Sequence, residues 1–144
     1  MSVKQISVFL ENRAGKLSEM TELLASRGLD IRALSLAETK DFGIVRMIMA
    51  DTGSAEELLQ SAGFLARSTP VLAYAVPDEP GGLNTLLSHF NRSGINIEYM
   101  YAFLGGRSAD HAYMIFRVSN TREAEARLAE AGLKEITQEE LERL

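Results

Sequence analysis

The sequence predicts an α+β protein made of two similar units, because one pattern of glycines and apolar residues occurs twice. Gly15 and Gly28 are 13 residues apart, and so are Gly81 and Gly94, which lie 66 positions further along. In each interval apolar residues recur at helical spacing, and a short β-rich run comes before the first glycine. A repeat at matched spacing predicts two copies of one structural unit.

The first copy alternates between the two kinds of periodicity. Leu17, Met20, Leu23 and Leu24 fit an amphipathic helix, and Gly28 stands where glycine is favoured just past a helix end. Ser54 with Glu57 resembles a capping box, which predicts a helix start there. The predicted elements are, in chain order, strand 5–10, a helix ending at Gly28, strands 31–37 and 44–50, a helix ending before Gly63 and a short strand 64–67.

The second copy repeats this order. The predicted elements are strand 71–76, a helix starting near Pro80, strands 97–104 and 112–118 joined across Gly105 and Gly106, a helix capped by Asn120 that ends before Gly132, and a short strand 133–136. The order β-α-β-β-α-β is typical of a ferredoxin-like unit, an antiparallel sheet with both helices on one face. We expect one domain over 1–68 and another over 69–144 without a flexible linker, and a short solvated helix over 137–144.

Composition narrows the function classes. The net charge of −5 gives no basic footprint for nucleic acid, and no apolar run reaches the roughly 18 residues that a membrane span needs. The chain has no cysteine, which excludes a thiol nucleophile and fits a cytoplasmic location. His89 and His111 have no partner at metal-ligand spacing, so neither a metal nor another cofactor is expected.

The segment from Val76 to Leu83 carries the most informative chemistry. A strand ends there, and Pro80, Gly81 and Gly82 open a helix. Glycine allows a ligand to approach the backbone closely, and the first N–H groups of a helix suit a carboxylate. Asn96, at the entry to the next strand, can both donate and accept hydrogen bonds. These residues predict a site for a small molecule with amino and carboxylate groups, although turn chemistry alone also explains the glycines.

The residues resemble the ACT domain, a regulatory module whose signature is a D-x-P-G-x-L loop, a helix and then G-x-N-I. The second copy carries Asp78, Pro80, Gly81, Leu83 and the run from Gly94 to Ile97. The first copy is looser, with Asn12, Ala14 and Asp30 at the positions of the aspartate, proline and asparagine. The resemblance covers nearly the whole chain and implies a stand-alone tandem protein without a catalytic domain.

The resemblance implies that an amino acid binds between the glycine loop of one domain and the second strand of its neighbour. It further implies a homodimer and a partner enzyme of amino-acid metabolism, which the ligand would regulate allosterically. The ligand-binding residues implied in this way are Asn12, Gly15, Lys16, Leu17, Asp30 and Ile31 in the first copy, and Asp78, Gly81, Gly82, Leu83, Asn96 and Ile97 in the second.

Two other functions remain open at this point. Apolar residues on both faces of the second and third strands of each copy fit a structural subunit that binds a protein partner through its sheet and holds no ligand. An acyl-phosphatase-like enzyme would need an anion-binding loop with an arginine, and the first loop does contain Arg13. No wider pattern supports that chemistry, so we expect a non-catalytic protein.

Overall fold

The computed structural model describes residues 2–103 and 110–144. The chain divides into two compact units, residues 4–69 and residues 70–144 together with the first three residues. The helices and strands are β1 (Val3–Glu11), α1 (Lys16–Ser26), β2 (Ile31–Glu38), β3 (Phe42–Met49), α2 (Thr52–Ser61), β4 (Leu65–Pro77), α3 (Gly82–Arg92), β5 (Ile97–Ala102), β6 (His111–Val118), α4 (Thr121–Glu130) and α5 (Gln138–Arg143). None of these helices is long and apolar enough to cross a membrane.

The first unit confirms the predicted antiparallel sheet with two helices on one face. Its strands lie in the order β2-β3-β1, with β4 beside β1, and both β1 and β2 pair antiparallel with β3. Ile6 faces Met47 and Val8 faces Val45 across β1 and β3, so these four side chains share one face. All four are buried against α1 and α2, whose contribution to this core is Met20, Leu24, Ala55 and Leu59.

The second unit is built in the same way on the order β4-β6-β5. Its core joins side chains of β4 and β6 to α3 and α4, and aromatic rings form its centre. The Phe90 ring lies 4.7 Å from Phe116 and 6.0 Å from Tyr74, centroid to centroid. In the first copy the position of Phe90 is held by Leu24, so the two cores are packed with different side chains.

Backbone geometry repeats along with the sequence. Gly15 and Gly81 have φ angles of 89° and 87°, and Gly28 and Gly94 have φ angles of 65° and 67°. Gly28 closes α1 as predicted, because its N–H donates to Ala25 and the next N–H donates to the Leu24 carbonyl. The left-handed conformation at these four positions explains why glycine recurs there in both copies.

Three sequence-based expectations need correction. Helix α2 is capped by Asp51, not by Ser54, because the Asp51 carboxylate accepts the Ser54 N–H at 3.0 Å and the Ser54 hydroxyl at 2.7 Å. Residues 133–136 do not form a regular strand and make one backbone hydrogen bond to β4, from the Ile136 N–H to the Ala73 carbonyl at 2.8 Å. The helix within 137–144 exists, but Leu141 on it is only 1% exposed, so that side is not solvated.

Smaller differences concern element ends. The strand expected over 97–104 ends at Ala102, and the hairpin across Gly105 and Gly106 lies outside the described residues. The strands expected over 64–67 and 71–76 are parts of a single strand, β4, that runs from Leu65 to Pro77. The predicted Asn120 cap is confirmed, since its side chain accepts the Glu123 N–H at 3.1 Å.

Candidate ligand-binding site

The glycine loop of the second copy borders a cavity of about 350 Å³. Its walls come from the end of β4, the loop after it, the first two turns of α3 and Leu133. Gly81 takes the left-handed conformation directly before α3, and Gly82 begins the helix. A side chain at Gly82 would force the backbone to shift, because an added Cβ atom would lie less than 3.0 Å from the Pro77 carbonyl oxygen.

Sequence reasoning missed three side chains of this cavity. Thr85, His89 and Leu133 line it, together with Leu86. The first two follow Gly82 by three and seven residues, so they share one face of α3, and that spacing was a usable signal. The Thr85 hydroxyl donates to the Gly81 carbonyl at 3.0 Å, which fastens the loop to the helix.

The first copy has a cavity of about 270 Å³ at the matching position. There Lys16 replaces Gly82 and Glu19 replaces Thr85. The Lys16 ammonium lies 3.5 Å from the Glu19 carboxylate, and the Lys16 side chain is only 21% exposed. The two copies therefore present similar spaces with different chemistry, an ion pair in the first and a glycine with a hydroxyl in the second.

The Asn12 side chain makes structural hydrogen bonds within the first copy. Its side-chain amide donates to the Glu38 carboxylate at 3.2 Å and to the carbonyls of Thr39 and Lys40 at 3.3 and 3.4 Å. These contacts hold the turn between β2 and β3 against the loop. Asp78 stands at the matching position of the second copy, is exposed, and donates its backbone N–H to the Asp110 carbonyl at 2.9 Å.

Asn96 lies away from the glycine loop within its own unit. It is exposed and lines a separate cavity of about 190 Å³ near the start of α4, together with Gly94 and Arg127. Helix α3 separates the two places, and its 11 residues span roughly 16 Å. One small ligand cannot touch both groups in a single unit.

The remaining predicted site residues divide between core and surface. Leu17 and Ile31 pack against the first core and Ile97 packs against the second, while Leu83 is 37% exposed. Asp30 lies 3.5 Å from the Arg32 guanidinium. Gly15 precedes α1 in the same way that Gly81 precedes α3. Among residues 2–103 and 110–144, no cluster of three or more His, Asp or Glu side chains is arranged to hold a metal ion.

A family model for a pair of ACT domains matches residues 1–144, the whole chain. The chain belongs to the ACT domain pair family. ACT domains in general bind small-molecule ligands, amino acids among them, and act in regulation. The two matched units, each with its left-handed glycine before the first helix, are the structural counterpart of this pair.

Several solved structures resemble this ACT domain pair. Protein BT0572 from Bacteroides thetaiotaomicron is 35% identical with a TM-score of 0.91, and the match covers 100% of this chain and 98% of that one. The ligand-free regulatory subunit of aspartate kinase from Thermus thermophilus is 15% identical, with a TM-score of 0.65 and coverage of 91% and 93%. The corresponding subunit from Thermus flavus is 16% identical, with a TM-score of 0.60 and coverage of 92% and 94%. A search of curated proteins finds no match.

A half-buried carboxyl near the end of the second unit makes stability depend on pH. Burial raises the pKa of Glu135 to about 8, and a hydrogen bond with Glu125 adds to the shift. The unfolded chain ionises this carboxyl near its ordinary pKa of 4.5, so its contribution to stability is complete below that pH and is lost as the pH rises through 8. We expect the free energy of unfolding to fall between pH 5 and pH 8.

Urea unfolding at constant ionic strength across this range measures the effect. Glu135→Gln should flatten the decline, since an amide cannot ionise, whereas Glu139→Gln at an exposed position should keep it. Hydrogen bonds to the Asp51 carboxylate lower its pKa, and the Thr137 N–H lowers that of Glu140, so their contributions are lost only in more acidic solution. An unchanged slope in Glu135→Gln would contradict the assignment to this carboxyl.

Proposed function

We propose that this ACT domain pair is a non-catalytic regulatory protein that binds an amino acid at the glycine loop of its second copy. The observation that carries the proposal is the cavity beside Gly81 and Gly82, where the backbone at the start of α3 is bare of side chains. The partial positive charge at the start of a helix favours a carboxylate there. The general role of ACT domains supports an amino acid as the ligand.

The difference between the copies supports one ligand site per chain in the glycine-loop cavities. In the first copy the Lys16 side chain lines the cavity at the position that Gly82 has in the second copy, and Glu19 already neutralises its charge. A ligand would have to displace this ion pair, and its carboxylate would meet Glu19. In the second copy Thr85 stands at the position of Glu19 and carries no charge, so the carboxylate meets no repulsion from that position.

The proposal also covers how two ACT domains would share the ligand. A ligand that contacts both a glycine loop and an asparagine such as Asn96 must lie between two neighbouring domains, which remains a prediction from the family resemblance. Such a ligand favours the arrangement of domains to which it binds more tightly. The proposal therefore includes a homodimer, a partner enzyme of amino-acid metabolism and a cytoplasmic location.

A ligand screen tests the proposal. Thermal unfolding is recorded with each of the twenty amino acids, with S-adenosylmethionine and nucleotides as unrelated compounds. A ligand at 100 times its dissociation constant adds about 2.7 kcal/mol to the free energy of unfolding, which raises Tm by several degrees. Hits are then titrated by calorimetry, and the expected stoichiometry is one amino acid per chain. A flat screen on folded protein would remove the proposal's main support.

Charge variants locate the binding site. Thr85→Glu adds to the second cavity the carboxylate that the first copy has at Glu19, without a lysine to pair with it, and we expect it to weaken amino-acid binding about tenfold, a loss of about 1.4 kcal/mol. Asn84→Glu adds the same charge one residue earlier on the exposed side of α3 and should weaken binding less. Lys16→Gln should leave the affinity unchanged. Loss of binding in Lys16→Gln together with normal binding in Thr85→Glu would move the site to the first copy.

An assembly subunit is the second candidate, and the first copy supplies the observation that favours it. Phe9, Phe42 and Leu65 line the first cavity and are 43%, 55% and 72% exposed. Large exposed apolar side chains in one place are typical of protein contacts. An amino-acid screen without hits, followed by a protein complex that Phe42→Ser disrupts, would favour this function.

The acyl-phosphatase alternative receives no support from the arginine that suggested it. The Arg13 guanidinium donates to the Glu11 carboxylate at 2.9 Å on the surface. An arginine that is paired in this way does not present its charge to a phosphoryl group. Turnover of an acyl phosphate by the purified chain would reverse this conclusion.

A further inference from the structure

The second unit contains a further, larger cavity beside α5, with a volume of about 610 Å³. Strands β4 and β6, the segment 133–136 and α5 form its walls. Ala75, Pro77 and Leu133 separate it from the glycine-loop cavity, because they line both. Within the described residues, the first copy has no helix that corresponds to α5, because α2 is followed directly by β4. Among those residues, a cavity wall of this kind is therefore found only in the second copy.

The wall formed by α5 is held in place at several points. The Ile136 N–H donates to the Ala73 carbonyl at 2.8 Å, which fixes the segment to β4. Thr137 and Glu140 form a reciprocal capping box, with distances of 2.9 and 3.2 Å, and Leu141 is buried. The cavity therefore exists before any ligand arrives, as is usual for small-molecule sites.

Tyr74 presents an unused polar group to this cavity. Its side chain is 2% exposed, and its ring is held against Phe90 and Phe116. Tyr74 lines the cavity, and no hydrogen-bond partner of its hydroxyl is found among the residues that the structure describes. A ligand in the cavity can supply that partner.

Two basic and two acidic side chains line the cavity, and one of the basic ones can pair with an anion. Lys134 lies 3.5 Å from Glu140, whose carboxylate also accepts the Thr137 N–H. Arg143 also lines the cavity and has no ion pair within the described parts of the chain. The pKa of Glu135 is raised to about 8, mainly by burial, so this carboxyl is largely protonated at neutral pH and does not repel an anion.

We propose that this cavity binds a small aromatic carboxylate that carries a second polar group. Its ring packs among Tyr113, Leu133 and Ile136, and its carboxylate pairs with the Arg143 guanidinium. The second polar group, a ring hydroxyl or carbonyl oxygen, hydrogen-bonds with the Tyr74 hydroxyl. This ligand is distinct from the amino acid at the glycine loop, and the inference does not depend on that site.

Fluorescent probes of matched shape test the inference on the full chain. The probe is 6-hydroxy-2-naphthoate, compared with its amide and with 2-naphthoate, which lacks the hydroxyl. We expect one acid bound per chain and an amide about five- to tenfold weaker, because a charge-assisted bond is lost. Arg143→Gln should bind the acid only as weakly as the parent protein binds the amide. Tyr74→Phe should weaken the hydroxylated acid severalfold and leave 2-naphthoate unchanged.

The matched control is Arg92→Gln, which removes the same charge at the exposed end of α3, outside this cavity, and should change nothing. Thermal unfolding of each variant checks that the fold is intact. Equal binding of acid and amide, normal acid binding in Arg143→Gln, or no binding at millimolar probe would each overturn the inference. Loss of the probe in Thr85→Glu with normal binding in Arg143→Gln would assign the probe to the glycine-loop cavity instead.

Discussion

Gly82→Ala is expected to lower the free energy of unfolding by about 3 kcal/mol, which for a chain of this size lowers Tm by roughly 10 °C. The reason is the close approach of the start of α3 to the end of β4, where a Cβ atom would overlap the Pro77 carbonyl oxygen. The obstructing atom belongs to the backbone, so no side-chain rotation relieves the overlap. Helix α3 must move away from β4 or the loop must change.

The control for this substitution is Gly53→Ala in α2. An added Cβ atom there would meet the Asp51 carboxylate at an ordinary contact distance of 3.9 Å. Alanine in a helix is favoured over glycine by roughly 0.5 to 1 kcal/mol, so this variant should be slightly more stable than the parent. Chemical denaturation followed by circular dichroism measures both. A Gly82→Ala variant as stable as the parent would mean that the close approach does not persist in solution.

Phe90→Ala is expected to cost about 3 to 5 kcal/mol, because it empties the centre of the second core. Phe90 is 1% exposed, and its ring touches the ring cluster formed with Tyr74 and Phe116. The three rings fill one space between α3 and the sheet, so neighbours that are themselves packed can close the gap only in part. Urea unfolding of the purified variant gives the change.

The repeat provides the matched variant for this position. Phe90→Leu introduces the side chain that the first copy has at Leu24, and we expect a cost of only about 1 kcal/mol, since most of the volume stays. Similar losses in Phe90→Leu and Phe90→Ala would show that the ring contacts, and not the volume, hold this core. Losses under 1 kcal/mol in both would contradict the packing described for the second unit.

Much of the fold was predictable because it depends on local rules. The left-handed glycines Gly28 and Gly94 follow from the way helices end, and the strands follow from alternating apolar residues. The wrong cap of α2 was a local error, since Asp51 lies three residues before Ser54, but the wrong strand was decided by a longer-range contact. Residues 133–136 carry the apolar pattern of a strand, yet they make a single backbone bond with β4 and then turn into α5.

The sequence identified the glycine loop of the candidate site but not the side chains that complete it. Thr85 and His89 border the loop because α3 turns them toward it, and Leu133 arrives from a segment about 50 residues later in the chain. Asn12 was predicted to bind a ligand, but the amide hydrogen bonds that it makes to the β2–β3 turn depend on how the hairpin folds back. Leu133 and the turn that Asn12 contacts are distant in sequence from the loops they meet, so no local pattern reveals them. Thr85 and His89, by contrast, are revealed by their helical spacing from Gly82.

The sequence by itself determined the two-copy organisation, the family and the position of the glycine loops, because these depend on residue type and spacing along the chain. Only the tertiary structure decided which spaces stay open. The first copy keeps a cavity of about 270 Å³ that the Lys16–Glu19 ion pair lines, the matching cavity beside Gly82 is about 350 Å³, and α5 adds a second chamber beside Tyr74. An open volume is the space left after many distant side chains have packed, and that quantity is fixed only in three dimensions.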